Sequence, residues 1–384
     1  MKEALVLYGA TAMGTAEFSA DLRWRTGGFS VPDPVLFCEI GGKKILFVSS
    51  LEVERAAKEA KVDEIILLDA YVKKSKKENL PISVIFLKEQ RIEKVIVPAT
   101  IRHQLAENLA AHFEIQIRDE PFYPERAIKT PWEIGEIEKA QRAVEAAVVK
   151  GTDFIKDCSV RGNELFHSAF GDQPINSFHL RKIIDDELFL RGYLGVESIV
   201  ACGIEATDPH AAGSGLLHPK EPIVLDIFPR SLETLYFADQ TRTIFKGMPS
   251  ENLCRMYGAV LEAQELAIAM VKPGANGAKI EQAVRDFFTK SGYPTSFTER
   301  PVKGFIHSLG HGVGLEIHEA PSLSSRPEVL QAGQVVTIEP GLYYSTAEGE
   351  IPAGGIRIED MLLVTADGSK NLTKFPKKLE DMIL

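Results

Sequence analysis

Residues 307–319 read HSLGHGVGLEIHE, which places three histidines and two glutamates within thirteen positions. Imidazole and carboxylate side chains serve as metal ligands and proton-transfer groups, so the stretch is a candidate for hydrolytic chemistry. The zinc helix HExxH is excluded. His318 and Glu319 are followed by Ala320, Pro321 and Ser322, and the second histidine of that motif is missing. Gly310, Gly312 and Gly314 would each cost about 1 kcal/mol in a helix. The segment is therefore expected to be extended or looped, with a backbone that passes close to something. Partner ligands must come from elsewhere in the chain.

Four acids stand out against apolar surroundings: Asp226 in IVLDIF, Asp239 in FADQTRT, Glu339 in VVTIEP and Glu359 in GIRIED. A buried carboxylate must be paired, hydrogen-bonded, protonated or bound to a cation. Singly, each has a simpler explanation. Asp226 could accept from backbone amides at a strand end, Asp239 could pair with Arg242, and Glu359 could pair with Arg357, two residues back on the same strand face. All of these would have to hold at once, whereas a cation cluster satisfies the four acids and His311 together. One imidazole and four carboxylates suit Mn²⁺ and related divalent ions rather than thiolate-loving metals. Four carboxylates exceed the need of one small ion. Two ions about 3.5–4 Å apart, sharing carboxylates and a hydroxide, would make a nucleophile near neutral pH and polarise a carbonyl. That chemistry is hydrolysis of an amide or ester.

The whole chain fits such an enzyme. It has 384 residues, 45% of them hydrophobic and 26% charged, with a net charge of −10. An acidic balance argues against a nucleic-acid partner. Cys38, Cys158, Cys202 and Cys254 are far apart and form no CxxC, so neither a disulfide framework nor a zinc ribbon is expected. No run of 18 apolar residues marks a membrane span. The uncharged stretch 4–16 has some character of a signal peptide, but Glu3 spoils its basic flank and Gly9 shortens its apolar part. A first β-strand and a cytoplasmic setting are expected instead.

The elements that must position these residues are legible in outline. Strands are expected at 64–70, 94–99 and 113–118, helices at 51–60 and 103–112, and a hairpin around Gly41-Gly42 within 34–47. This alternation predicts an α/β layer, closed by the proline-bearing linker 121–131. Thr130, Pro131 and Glu133 then predict a helix start with a capping box. A helix over 180–193, strands over 198–203, 223–228 and 234–245, two long helices over about 251–271 and 277–291, and strands over 335–340 and 355–364 complete the chain. Lys73–Lys77 (KKSKK) reads as a solvated face.

With these pieces in order, the chain resembles the pita-bread-fold metallopeptidases, which include methionine aminopeptidase, aminopeptidase P, prolidase and the metal-free relative creatinase. The resemblance rests on KTPWEIGEIEKA, SIVACGIEATDPH, VLDIF with FADQTRT, HSLGHGVGLEIHE, VVTIEPGLYY and GIRIED, spanning residues 129–360. The preceding segment, including DLRWRTGGF, is similar to the amino-terminal domain of the creatinase, prolidase and aminopeptidase P branch, which typical methionine aminopeptidases lack. The implied fold class is α/β (α+β). A creatinase/prolidase-like α/β domain over 1–124 would precede a pita-bread catalytic domain over 125–384. The resemblance implies that Asp226, Asp239, His311, Glu339 and Glu359 hold two divalent ions, with Mn²⁺ first among candidates and Co²⁺ or Zn²⁺ as alternatives. Asp239 and Glu359 would bridge, His311 would bind one ion, and Glu339 would also accept the nucleophile's proton. It further implies that His318 holds substrate and stabilises the tetrahedral intermediate. His210 would face the scissile or proline side, His307 would be a further active-site histidine, and Arg357 would support the site and the substrate's carboxylate end. The connector between the two Asp strands and the segment 343–355 are longer than is usual in the family, which would reshape the pocket mouth.

The expected function is hydrolysis of the Xaa-Pro bond at the amino terminus of peptides, by a homodimer. Prolidase on dipeptides and aminopeptidase P on longer peptides are the two forms of that activity. The alternatives are a broader aminopeptidase, metal-free creatinase-like hydrolysis, and a peptide-binding protein without catalysis. The complete ligand set speaks against the last two.

Overall fold

A computed structural model describes residues 2–298 and 300–384 and divides into two compact units, Met1–Arg126 and Ala127–Leu384. The first unit is built on a six-stranded sheet. Its spatial order is Glu64–Leu67, Lys43–Val48, Val35–Ile40, Glu3–Gly9, Lys94–Pro98, Glu114–Arg118. The Gly41-Gly42 turn closes the antiparallel hairpin, and the outer strands join in parallel. Side chains alternate across the sheet. Val6, Cys38, Phe47 and Val95 therefore enter one core, and Leu7, Phe37, Leu46 and Ile96 enter the other.

The apolar run 82–87 forms a helix, Ile82–Glu89, with Ser83 to Leu87 all buried. An apolar run without alternation fits a buried helix as well as a strand, and Pro81 immediately before it suits a helix start. The lysine cluster lies on the helix Asp69–Glu78, which buries no residue. The four cysteines are free, and three of them are buried. Among the described residues no helix is long and apolar enough to cross a membrane.

The second unit opens as the capping motif dictates. Thr130 accepts from the Glu133 amide, Glu133 accepts from the Thr130 amide at 2.7 Å, and the helix runs Pro131–Lys156. Helices Ser177–Leu190, Glu251–Met270 and Gly277–Lys290 follow. An antiparallel three-stranded sheet is formed by Ile199–Cys202, Ile223–Ile227 and Gln240–Ile244. A five-stranded sheet has the order Glu319–Leu323, Gly310–Gly312, Val335–Ile338, Asp360–Val364, Ser369–Asn371, and Gly341–Tyr344 pairs with Gly354–Arg357.

Two expected strands are corrected. Of 234–245, only Gln240–Ile244 is in the sheet: Leu235 has φ +67°, and the Phe237 amide donates to the Gly314 carbonyl, which pulls this segment off as a loop. The single strand over 355–364 is two strands, Gly354–Arg357 and Asp360–Val364. The break falls at Ile358 and Glu359, where the Glu359 amide donates to the Thr241 carbonyl of the three-stranded sheet.

Because Thr130 supplies one of the few partners for the exposed amides at this helix start, Thr130→Ala is expected to lower stability by about 1 kcal/mol. A urea titration following helicity checks it, and an unchanged midpoint would refute the capping role.

Candidate metal centre

His311 is held by two close approaches of backbone. A Cβ on Gly310 would overlap the Thr337 carbonyl, and a Cβ on Gly312 would overlap the Ala320 carbonyl. The glycines thus let the short strand Gly310–Gly312 lie between its two neighbours, and the His311 amide donates to Thr337 Oγ1 at 3.1 Å. This is the tight passage that the glycine spacing predicts. The His311 ring Nε2 then sits 3.3 Å from Glu339 Oε1 and 3.6 Å from Asp239 Oδ2.

The acids converge on this ring from separate strands. Asp226 lies opposite Thr241 in the antiparallel register. Asp239 immediately precedes the Gln240–Ile244 strand, and both glutamates sit in breaks between strands. One ligand atom each from Asp239, His311 and Glu359 lies within 4.8 Å of the others. Asp226, Glu339 and Glu359 all act electrostatically on Asp239. The structure therefore groups Asp239, His311 and Glu359, with Glu339 beside His311, and Asp226 acts on the group through its charge.

Arginine does not neutralise it. Arg242 turns away from Asp239 and is spent on Asp360 and on the carbonyls of Thr241, Glu359, Phe375 and Pro376. Arg357 pairs with Asp226 at 2.6 Å, not with Glu359, and its other nitrogens donate to Tyr343 Oη and Thr241 Oγ1. Asp239 Oδ1 and Glu359 Oε1 remain buried without a hydrogen-bond partner. Two orphaned carboxylate oxygens beside an imidazole are a donor set that a divalent cation fits.

The protonation energetics reflect the same crowding. Burial, then the charges of Glu359 and its neighbours, push Asp239 well above the usual carboxylate range. Burial, then Glu339 and Asp226, push Glu359 up to about 8. Glu339 goes the other way. Burial opposes its ionisation, but the hydrogen bond and charge of His311, with His307 and Arg357, outweigh this and hold it at about 2. Burial lowers His307 to about 4. Its ring contacts the Ser308 carbonyl and Tyr343 Oη at 2.8 and 2.9 Å.

His318 stands edge-to-face against His311 with ring centroids 4.3 Å apart. Partial desolvation, and the charges of His311 and His210, bias it toward the neutral form. His210 is exposed in the loop after Glu205 and lies near enough to act on His318. Three residues of the site escape sequence reasoning. Thr241 donates to Glu359 Oε2 at 2.8 Å, Tyr343 links His307 to Arg357, and Thr337 fixes His311. Thr241 had a signal, since it stands two residues beyond Asp239 in the TRT run; nothing in the sequence distinguishes Tyr343 or Thr337.

The sequence pattern of metallopeptidase family M24 matches residues 135–366. The Xaa-Pro dipeptidase of Pyrococcus furiosus is 31% identical over 363 residues, covering 92% of this chain and 89% of that one. Among solved structures, prolidase from Pyrococcus furiosus superposes with a TM-score of 0.75 at 27% identity, over 98% of this chain and 97% of that one. The Xaa-Pro dipeptidase from Bacillus anthracis gives 0.79 at 26% identity, over 100% and 95%. The histidine–carboxylate cluster lies within the matched span, and on this agreement of sequence, fold and site the chain belongs to metallopeptidase family M24, with the pita-bread fold of that family.

Proposed function

We propose that the protein is a peptidase that cleaves the bond between an amino-terminal residue and a following proline, using two divalent cations held by Asp226, Asp239, His311, Glu339 and Glu359. The observation that carries this reading is that Asp239 and Glu359, which each bring a ligand atom within 4.8 Å of one on His311, also each keep a buried oxygen without a hydrogen-bond partner. The activities for which the relatives are named, Xaa-Pro dipeptidase and prolidase, support the proline specificity. Divalent ions in such a site supply a strong nucleophile from water near neutral pH and polarise the scissile carbonyl.

The chain's own residues do the rest. Glu339, ionised throughout the neutral range, accepts the proton of the attacking water on a carboxylate oxygen and passes it to the departing proline nitrogen. His318, biased toward its neutral form, donates a hydrogen bond to the oxygen that becomes negative as the carbonyl turns tetrahedral. His210 faces the proline side. His307, Tyr343 and Arg357 form a continuous hydrogen-bonded chain, so Arg357 fixes Asp226 while His307 lines the substrate side. Mn²⁺ as the native ion, homodimerisation and a cytoplasmic setting belong to the same proposal and rest on likeness to the family.

A substrate panel with added Mn²⁺ tests the specificity. An Xaa-Pro dipeptide is expected to be cleaved and the matching Xaa-Ala dipeptide to be cut at least tenfold more slowly. Cleavage of Xaa-Pro-Xaa but not of the dipeptide would assign the aminopeptidase P form. Equal rates on Xaa-Pro and Xaa-Ala would assign a broader aminopeptidase. The role of Glu339 is tested separately. Glu339→Gln keeps the size but cannot take a proton, so turnover is expected to fall about 10²–10⁴-fold with the fold intact. A metal-replete variant retaining half of wild-type turnover would remove Glu339 from the proton path.

A further inference from the structure

Helix Glu251–Met270 carries one wholly buried amide, Gln264, on its inward face. A buried amide is costly unless its donors and acceptor are all engaged. Those of Gln264 are engaged in a specific way. Its Nε2 donates to the carbonyl of Ile338 at 3.1 Å and to that of Ile358 at 3.2 Å. Its Oε1 accepts from Lys377 Nζ at 2.8 Å, and the same ammonium donates to Asp360 Oδ2 at 2.9 Å. The amide has one possible orientation, because an ammonium only donates and carbonyls only accept.

Ile338 and Ile358 are the residues immediately before Glu339 and Glu359. At both places the regular strand stops: Val335–Ile338 ends at the first, and Gly354–Arg357 has ended at the second. Ladder hydrogen bonds cannot fix the backbone across such breaks as they do within a strand. The flanking strands pair on either side, Ile338 with Asp360 and Gly341 with Arg357, and the Ile358 amide reaches the Pro340 carbonyl at 3.4 Å; the Gln264 amide adds a side-chain bridge between the two carbonyls at the break itself. We propose that Gln264 is a positioning residue for the metal centre: by clamping the carbonyls of Ile338 and Ile358 it sets the separation of the Glu339 and Glu359 carboxylates, and Lys377 holds the clamp's orientation. The inference rests on the reading of these glutamates as metal ligands.

Gln264 touches no ligand side chain. Its loss should therefore weaken cation binding by letting Glu339 and Glu359 move apart, the effect expected when an outer partner of a ligand is removed, about 10–100-fold in affinity. The test compares wild type, Gln264→Leu, Lys377→Met and Leu188→Ala, the last a buried apolar truncation in the Ser177–Leu190 helix that serves as a destabilised control. Mn²⁺ affinity is measured by calorimetry on metal-free protein, alongside the rise in melting temperature that saturating Mn²⁺ produces. Gln264→Leu is expected to bind Mn²⁺ about 10–100-fold more weakly and to show a smaller melting-temperature rise. Lys377→Met should share the direction with a smaller size, and Leu188→Ala should melt earlier yet bind as wild type does.

If Gln264→Leu does not fold, Lys377→Met carries the decision, since Lys377 is partly exposed and its loss leaves the two carbonyl contacts in place but unoriented. Wild-type affinity in the folded Gln264→Leu variant, or in Lys377→Met where that variant decides, would overturn the proposal. So would a loss in Leu188→Ala equal to that in the clamp variants. Wild type that binds no Mn²⁺ would instead overturn the metal reading itself, and the comparison of arms keeps the two failures apart.

Discussion

The second unit is organised around one electrostatic problem: four carboxylates crowd together, Asp239 and Glu359 buried and Asp226 and Glu339 nearly so, and among the described residues the one arginine that bonds any of them, Arg357, bonds Asp226. Removing such groups from water costs far more than ordinary packing returns unless the charge is met by a partner. Here Arg357 meets Asp226, and His311 meets Glu339 and stands 3.6 Å from Asp239, while Asp239 Oδ1 and Glu359 Oε1 have no hydrogen-bond partner. The protein has another buried arginine close by, but it spends Arg242 on Asp360 and four backbone carbonyls. That allocation shapes a place for an exogenous cation instead of neutralising it from within.

Much of the local architecture follows from keeping these acids in place. Both glutamates sit where a strand of one pair ends and a strand of another begins, so their backbones belong to no single ladder. The Glu339 amide donates to the Leu309 carbonyl and the Glu359 amide to the Thr241 carbonyl, which fastens each to a neighbouring segment. The glycines flanking His311 admit the strand between its neighbours. Thr241 and Arg357 form an inner brace on which Glu359 and Asp226 both lean. Function here is a matter of where backbone regularity is interrupted as much as of which side chains are present.

Much of this is legible in the sequence because the signals are local. Thr130, Pro131 and Glu133 specify a helix start within four residues, Gly41-Gly42 specifies a hairpin, and an acid among β-branched residues marks a carboxylate that needs a partner. What the sequence conceals is non-local. The run 355–364 alternates like one strand, and only the bond from the Glu359 amide to Thr241 breaks it in two. The segment 234–239 has strand composition, yet the contact of Phe237 with Gly314, far along the chain, draws it into a loop. The partner of Arg357 is likewise decided by which strands lie adjacent: two residues along its own run is Glu359, but across the fold it meets Asp226. Tyr343, which joins His307 to Arg357, is one of nine tyrosines and carries no mark of its role.

If a cation resolves the charge conflict at Asp239 and Glu359, the stability of the protein must respond to pH and to Mn²⁺ in a defined way. In metal-free protein these folded-state pKa values lie above their unfolded values, with Glu359 at about 8 and Asp239 raised well above 3.8. Groups raised in this way bind more protons when folded, so the stability they contribute is present at low pH and is lost as pH rises toward the folded value. His307, His318 and Glu339, shifted downward, act below about pH 6.5. His311, raised above 6.5 against its burial by the hydrogen bond and charge of Glu339, contributes stability that is lost in the same sense as that of Glu359 in the window from about pH 6.5 to 8.5, and a cation bound by the cluster opposes both losses. Denaturation titrations across that window are predicted to show metal-free protein losing stability with rising pH, and saturating Mn²⁺ abolishing or reversing the loss. A metal-free protein whose stability is flat from pH 6.5 to 8.5, and unchanged by Mn²⁺, would show that Asp239 and Glu359 do not hold a cation.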